Sequence, residues 1–203
     1  MTTGSLESII ADTCAPARPW CWRFGPESPS RVEDGALALR AKARSDLFAM
    51  GALHHTDALG ALVREAGSCF TFSATVEVDG GTFADAAGLL MRSTSAWLKL
   101  CVERKRRGGW AVVSVFGAPD ADEAHGIDLA GGSAALLLTR EGRRVAAWLR
   151  AEPGGDWRFH RTLWWPDAAP AAVGVFAQAP FSTGHWARFE ELRLTPDARE
   201  DKR

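Results

Sequence analysis

The sequence predicts an all-β protein, built as a sandwich of two antiparallel sheets. From Cys69 onward, short runs of apolar or alternating residues follow one another at the spacing typical of β-sandwiches. Turn-favouring residues, mostly Gly beside Asp, Glu, Arg or Pro, separate these runs. The clearest predicted strands are Cys69–Val78, Ala86–Arg92, Trp97–Arg104, Trp110–Phe116, Ala134–Thr139, Val145–Leu149, Trp157–Trp164, Ala172–Ala177 and Trp186–Leu194.

The region before Cys69 carries weaker signals. Trp20–Phe24 and Ala36–Ala41 are typical of two further strands, whereas Ala52–Glu65 fits either a short helix or an irregular loop. We expect one β-sandwich domain over residues 20–194, with an N-terminal lead-in of residues 1–19 and a charged tail of residues 195–203. A chain of 203 residues can bury its own core without disulfides or metals.

Composition argues against several classes of function. The 24 basic residues nearly balance the 25 acidic ones, so we expect no nucleic-acid partner. No apolar run approaches the roughly 18 residues of a membrane helix, and the N-terminus lacks the features of a secretory signal. We therefore expect a cytoplasmic protein with no membrane partner. Because the chain has no Tyr, tyrosine-based catalysis is excluded.

No metal, cofactor or disulfide pattern is evident. The cysteines form no CxxC pair, and no Cys/His group has zinc-finger spacing. The adjacent His54 and His55 would point to opposite sides of a strand, which disfavours a shared metal. We expect reduced thiols, no structural metal and no cofactor. The four cysteines are Cys14, Cys21, Cys69 and Cys101.

One hairpin can be interpreted residue by residue. In Trp97–Glu103, the even positions are Leu98, Leu100 and Val102, and they form the core face of the strand. If Arg92 pairs with Trp97 across a short turn, the apolar positions of Ala86–Arg92 fall on the same face. The opposite face then carries four polar or aromatic side chains, with space left by two small residues. The four are Arg92, Trp97, Lys99 and Glu103, and the small residues are Gly88 and Cys101.

Two interpretations of this polar face remain open. It is either a solvated surface with cross-strand ion pairs, or a concavity in which Trp97 stacks on a sugar while the charged groups bind its substituents. The strand Trp110–Phe116 is predicted to add Ser114 to the polar face, whereas its residues Ala111, Val113 and Val115 are predicted to face the core. Because Trp97 then lies outside the core, we expect Trp97→Ala to affect folding less than Leu100→Ala does.

The hairpin resembles the core motif of the DUF1349 (regulation-of-enolase-protein-like) family. Asp85–Arg92 and Trp97–Glu103 are similar to the family's D-Q-A-G-L-M-V-R and W-I-K-x-G-x-E patterns, with Ala86 in place of the usual Gln. Ser45–Phe48 resembles the family's T-D-F-W, and the likeness extends over roughly Trp20–Leu194. The resemblance implies a concanavalin A-like jelly-roll and a site on the Lys99 face. It implies no particular reaction, because the family has no settled activity.

Carboxylates near the hairpin suggest acid–base chemistry as an alternative to binding. Glu103 and Asp85 are the candidate catalytic residues, and Asp46 would converge on them with Lys99 nearby. The competing interpretation is that Arg92 and Lys99 merely neutralise these carboxylates. Retaining glycan hydrolases need a pair of carboxylates, which is often carried as an E-x-D-x-x-E motif. The nearest match in this chain begins at Glu77, and Thr82 occupies the place of the second Glu, so this pair is absent.

Three functional hypotheses follow. The leading one is a lectin-like module that binds a carbohydrate or another polar small molecule over Trp97, with Lys99, Arg92, Asp46 and Ser114 as ligand-binding residues. The second is an enzyme that acts on a sugar or small metabolite, and the third is a regulatory module that binds another protein. The basic run 104–107 is predicted to be a solvated hairpin turn, with a phosphate contact as the less favoured alternative.

Overall fold

The computed structural model describes residues 9–14 and 19–200, and every regular element within these residues is a β-strand. Most of the predicted lead-in and the last three residues of the predicted tail lie outside this range. The strands are β1 (Ala11–Asp12), β2 (Cys21–Arg23), β3 (Ser30–Glu33), β4 (Ala36–Arg40), β5 (Lys42–Ala43), β6 (Leu47–Met50), β7 (His54–Asp57), β8 (Ala61–Ala66), β9 (Cys69–Val78), β10 (Ala86–Arg92), β11 (Trp97–Arg104), β12 (Trp110–Gly117), β13 (Ala121–Leu129), β14 (Ser133–Glu141), β15 (Arg144–Arg150), β16 (Arg158–Trp164), β17 (Ala171–Ala179) and β18 (Trp186–Thr195).

Two eight-stranded sheets make up the fold. Sheet I has the order β16-β15-β14-β9-β18-β4-β3, with β1 beside β18, and sheet II has the order β13-β12-β11-β10-β17-β8-β2, with β5 beside β17. Among the named strands of the described residues, only the two short strands β1 and β5 pair in parallel with a neighbour. A separate hairpin consists of β6 and β7. The predicted all-β architecture of two antiparallel sheets is confirmed, and the described residues contain no helix that is long and apolar enough to cross a membrane.

The two sheets differ in how they bury their faces. In β9 of sheet I, buried residues such as Phe70 and Phe72 alternate with partly or fully exposed ones, so one face meets the core and the other meets solvent. In β10 and β11 of sheet II, nearly every residue is buried. The central strands of sheet II are therefore buried on both faces. The inner face of the sheet packs on sheet I, and part of its outer face has a cover of its own.

The predicted hairpin register is confirmed. Arg92 pairs with Trp97, Leu89 with Leu100, and Gly88 with Cys101. Leu98, Leu100 and Val102 lie in the core between the sheets, as predicted. A Cβ atom on Gly88 would overlap the Leu100 carbonyl oxygen, so glycine permits the close approach of β10 to β11.

The segment Ala52–Glu65 is neither a helix nor a loop, which corrects both expectations. It contains β7 and most of β8, and β8 joins sheet II by pairing with β17. The loosely helical spacing of its apolar residues is misleading, because Ala61, Leu62 and Val63 are buried on both faces of a strand. Sheet pairing decides the conformation of this stretch.

A second apolar cluster lies on the outer face of sheet II. Leu47 at the start of β6 and Leu59 after β7 pack there against Trp97, Cys101 and Val113. The β6–β7 hairpin is held in place at two points: the Gly51 amide donates to Asp120 Oδ1 at 2.6 Å, and Arg92 forms an ion pair with Asp57. This hairpin covers one part of the outer face and leaves the rest open.

Candidate ligand-binding pocket

Trp97 belongs to the covered part of the outer face, which corrects its predicted role as an open stacking platform. Its side chain faces away from the inter-sheet core, as predicted, but it is only 8% exposed. Its ring lies so close to Gly117 that a Cβ atom there would overlap it. Trp97 is therefore a residue of the second cluster, together with Leu47 of β6 and Leu59.

Arg92 also lies outside the open part of the face. Its guanidinium donates two hydrogen bonds to Asp57, at 2.8 and 2.6 Å, and stacks 4.5 Å from the centroid of Phe24. These hydrogen bonds lower the pKa of Asp57. Arg92 thus attaches β7 to sheet II, and it does not line the pocket described below.

Ser114 does not share the polar face, so that prediction is wrong. It pairs with Leu100, whereas Val115 pairs with Lys99, and paired residues project to the same side of a sheet. Ser114 therefore points between the sheets, where its hydroxyl lies 2.8 Å from Nε2 of His160 on β16. Burial, with help from Arg161, lowers the pKa of His160 to about 4. The Ser114–His160 pair links the two sheets.

Asp85 is a buried structural carboxylate rather than an open catalytic group. Its Oδ2 accepts the amides of Gly81 and Thr82, at 3.1 and 2.9 Å, and its Oδ1 accepts the Ser182 hydroxyl at 2.7 Å. Asp85 is only 1% exposed. These bonds fix the turn before β10, and Ala84 rather than Asp85 faces the pocket described next.

Three predicted residues, Asp46, Lys99 and Glu103, do come together. They line a pocket of about 610 Å³ on the open part of the outer face of sheet II. Lys99 and Glu103 reach the pocket because they project from the same face of β11. Asp46 reaches it from the connection between β5 and β6. The other lining residues are Phe48, His54, Phe83, Ala84, Lys105, Arg106, Arg107, Gly108, Val115, Glu123, His125, Gln178 and Phe181.

A buried polar network forms the floor of the pocket. The Lys99 ammonium donates to Asp46 Oδ1 at 2.9 Å and to Gln178 Oε1 at 2.8 Å. Gln178, on β17, donates in turn to the Ala84 carbonyl at 3.3 Å. Lys99 is only 2% exposed, and the hydrogen bonds offset the cost of burying its charge. The network therefore holds the Lys99 ammonium at a fixed position facing the pocket.

Glu103, in the floor of the pocket, has a strongly shifted pKa. Burial raises its pKa to about 7; Lys99 opposes this shift, and Glu123 adds to it. Its neutral and ionised forms are therefore both populated near neutral pH. Burial also raises the pKa of the neighbouring Cys101 thiol, whose Sγ donates to the Val113 carbonyl at 3.5 Å. Cys101 is therefore a buried thiol that stays protonated at neutral pH.

An aromatic wall and a basic turn frame the mouth of the pocket. The rings of Phe83 and Phe181 stack with centroids 5.6 Å apart, and Phe181 is 67% exposed. The Arg106 guanidinium lies 4.0 Å from the centroid of Phe83. Lys105 forms an ion pair with Asp128 at 2.8 Å. The sequence identified the basic run, but it gave no sign that the two phenylalanines or Gln178 would meet it.

Within residues 9–14 and 19–200, no group of three or more His, Cys, Asp or Glu side chains is arranged to hold a metal ion. His54 lines the pocket, with its ring tilted against that of Phe48 at a centroid distance of 5.8 Å, and the His125 ring lies 2.8 Å from Glu123. All four cysteine thiols are free.

The molecule is thus a jelly-roll β-sandwich with a polar pocket on the outer face of one sheet. Solved structures support this class. A functionally unknown protein from Saccharomyces cerevisiae superposes with a TM-score of 0.78 at 23% identity, over 89% of this chain and 97% of that one. The profile of the family described as protein of unknown function (DUF1349) matches residues 22–197. The chain belongs to the DUF1349 family, which confirms the resemblance seen in the sequence.

Two carbohydrate-active enzymes share the fold at lower identity. A xylan β-1,4-xylosidase from Bacillus halodurans C-125 superposes with a TM-score of 0.65 at 18% identity, over 82% of this chain and 34% of that one. An alginate lyase from Klebsiella pneumoniae superposes with a TM-score of 0.58 at 11% identity, over 86% of both chains. At these identities the likeness establishes the fold alone. A comparison with curated protein sequences gave no significant match.

Proposed function

We propose that this protein binds a carbohydrate or a related polar small molecule in the pocket floored by Lys99, Asp46 and Glu103. The observation that carries the proposal is the pairing of fixed polar groups with an exposed aromatic wall in one cavity of about 610 Å³. Such cavities are of the size that small ligands occupy, and a few placed polar groups give them specificity.

The chemistry of the floor matches a ring with several hydroxyl groups. A hydroxyl both donates and accepts hydrogen bonds, so neighbouring hydroxyls need donors and acceptors side by side. Lys99 supplies donors, and the carboxylates of Asp46 and Glu103 supply acceptors. Phe181, largely exposed at the mouth, offers an apolar face for the ring to pack against. The carbohydrate-active enzymes among the structural neighbours add a fold-level analogy in support.

Isothermal titration calorimetry with a panel of neutral and charged saccharides tests this proposal. We expect at least one saccharide to bind, and we expect Phe181→Ala to weaken its binding about five-fold, equivalent to about 1 kcal/mol for an aromatic contact. Trp164→Ala is the matched control, because Trp164 is 65% exposed and does not line the pocket. If no saccharide binds, or if Phe181→Ala binds as tightly as the wild type, this pocket is not the site.

An enzymatic role is the second candidate, and the pKa of Glu103 favours it. A carboxyl that titrates near pH 7 is suited to accept or donate a proton at neutral pH. In that case Glu103→Gln should retain binding of the identified saccharide but abolish its turnover, because Gln keeps the shape and loses the carboxyl group that can take up and release a proton. If the wild-type protein binds the saccharide but does not turn it over, only the binding role is supported.

A further inference from the structure

We propose that the ligand of this pocket is an acidic saccharide, a hydroxylated ring whose carboxylate or phosphate binds to Arg106 and Arg107. This inference rests on the proposed function and names its substrate class. It follows from the distribution of charge along the pocket, from the mouth to the floor.

The lysines of the pocket are matched by carboxylate partners. Lys99 is paired with Asp46 at 2.9 Å, whereas Glu103 and Glu123 form no ion pair with a lysine or arginine among the described residues, and Glu123 lies 2.8 Å from the ring of His125. At the mouth, Lys105 is neutralised by Asp128. Two positive charges at the mouth therefore remain, because Arg106 and Arg107 form no ion pair with any residue that the structure describes. Both line the pocket, so these two charges face a ligand within it.

The turn that carries the two arginines is built to hold them in place. The Lys105 amide donates to the Gly109 carbonyl, and the Gly108 amide donates to the Lys105 carbonyl, each at 3.1 Å. Gly108 and Gly109 adopt positive φ angles of 87° and 78°, which glycine tolerates without strain. Phe83 lies beneath the flat face of the Arg106 guanidinium, which leaves the N–H groups at its edge free. Guanidinium edges of this kind bind carboxylate and phosphate groups through two parallel hydrogen bonds.

The floor of the pocket supplies an independent reason to expect that the ligand carries hydroxyl groups in addition to its acidic group. The Lys99 ammonium has three protons, and Asp46 and Gln178 are its hydrogen-bond acceptors among the described residues. The third proton is available to an acceptor in the pocket. A ligand with its acidic group at the arginines and its hydroxyls toward Lys99 and Glu103 satisfies both ends of the pocket.

The test compares matched sugars that differ only in charge. Glucose, glucuronate and glucose 6-phosphate are titrated into the wild-type protein by calorimetry at 50 mM salt, and so are galactose, galacturonate and galactose 6-phosphate. We expect at least one acidic sugar to bind ten-fold or more tightly than its neutral parent. We also expect this preference to shrink as salt rises. Whether the carboxylate or the phosphate is preferred identifies the acidic group.

Two double variants localise the effect. Arg106→Gln/Arg107→Gln should reduce binding of the preferred acidic sugar at least ten-fold and should weaken binding of the neutral parent by a much smaller factor. Arg144→Gln/Arg158→Gln is the control, because it removes the same charge from exposed positions on β15 and β16 that do not line the pocket. An equal loss in the control would show a non-specific charge effect and overturn the inference.

The remaining outcomes separate this inference from the proposed function. Equal binding of neutral and acidic sugars, or binding of neutral sugars alone, overturns the acidic-saccharide inference and leaves saccharide binding in place. Failure of all six sugars to bind overturns the inference as well. If the wider panel also shows no binding, the proposed function fails with it.

Discussion

Trp97 and Leu100 illustrate how two residues on opposite faces of one strand can both be core residues. Leu100 packs between the sheets, and Trp97 packs under the β6–β7 hairpin. The alternation along β11 separates these two environments correctly, but it does not reveal that both exclude water. The distinction between a core face and a solvent face fails in a sheet that is covered on both sides.

Because Trp97 is buried, the milder folding effect expected from the sequence for Trp97→Ala is corrected to an effect comparable to that of Leu100→Ala. Trp97→Ala should lower the free energy of unfolding by about 3–5 kcal/mol, comparable to about 2–5 kcal/mol for Leu100→Ala, because each leaves a cavity in a packed cluster. Urea unfolding followed by circular dichroism measures both. Phe181→Ala serves as a control with an effect below about 1 kcal/mol, because Phe181 is largely exposed. A Trp97→Ala variant as stable as the Phe181→Ala control would mean that the ring is not packed.

Glu103 should make the stability of the protein depend on pH. Its pKa is about 7 in the folded state, above the ordinary value near 4.3 for an unfolded chain. The stability contributed by its protonated form is therefore fully present below about pH 4.3 and is lost as the pH rises through 7. Glu103→Gln cannot ionise, so its free energy of unfolding should fall less between pH 4.5 and 8, by about 1–3 kcal/mol.

Urea unfolding of both proteins across this pH range provides the measurement. His160 titrates in the opposite sense: its folded pKa of about 4 contributes stability above pH 6.5 that is lost as the pH falls toward 4. Because His160 is present in both proteins, the difference between them isolates Glu103. Identical pH profiles for wild type and Glu103→Gln would show that Glu103 titrates normally.

At the scale of elements, β6 and β7 determine which part of the outer face stays open. A two-stranded hairpin is at best marginally stable alone, so its position depends on its attachments. Arg92→Met removes the double hydrogen bond to Asp57 and should speed amide exchange across Leu47–Asp57 about five-fold, equivalent to about 1 kcal/mol for a partly exposed ion pair. Exchange in β11 should not change.

Hydrogen exchange with mass spectrometry compares this variant with Arg188→Met. That control removes the exposed Arg188–Glu190 pair on β18, which does not touch the hairpin. Faster exchange in β11 as well would mean that Arg92 supports the whole of sheet II. No change in the hairpin would mean that the apolar contacts of Leu47 hold it without the ion pair.

Elements with a strong apolar pattern could be predicted from the sequence, and others could not. All nine strands predicted from Cys69 onward are present, with ends within two residues of the prediction. The edge strand β13 was missed, because its exposed, polar residues join β12 through backbone hydrogen bonds and carry no apolar signature. Ser114 was placed on the wrong face. Ala111, Val113 and Val115 are all apolar and were therefore assigned to the inter-sheet core, but they pack in the second cluster on the outer face of sheet II.

At the scale of the whole molecule, the pocket is assembled from segments far apart in the chain. Lys99 and Glu103 could be placed together from one strand, and Asp46 was added through the family motif. Phe83, Gln178 and Phe181 could not be found in this way, because only the pairing of β10 with β17 brings their segments together. The sequence therefore predicted the charged floor of the pocket, whereas its aromatic wall depends on the tertiary structure.

The claim that the protein binds its ligand in this pocket can be tested by NMR titration. A saccharide that binds in the calorimetric panel is titrated into ¹⁵N-labelled protein, and the amide shifts are mapped onto the fold. We predict that the largest shifts cluster at Lys99, Glu103, Gln178 and the turn Lys105–Gly109. Shifts centred instead on the cleft of sheet I near Thr75 and Glu190, with the Lys99 and Glu103 amides unmoved, would contradict the claim.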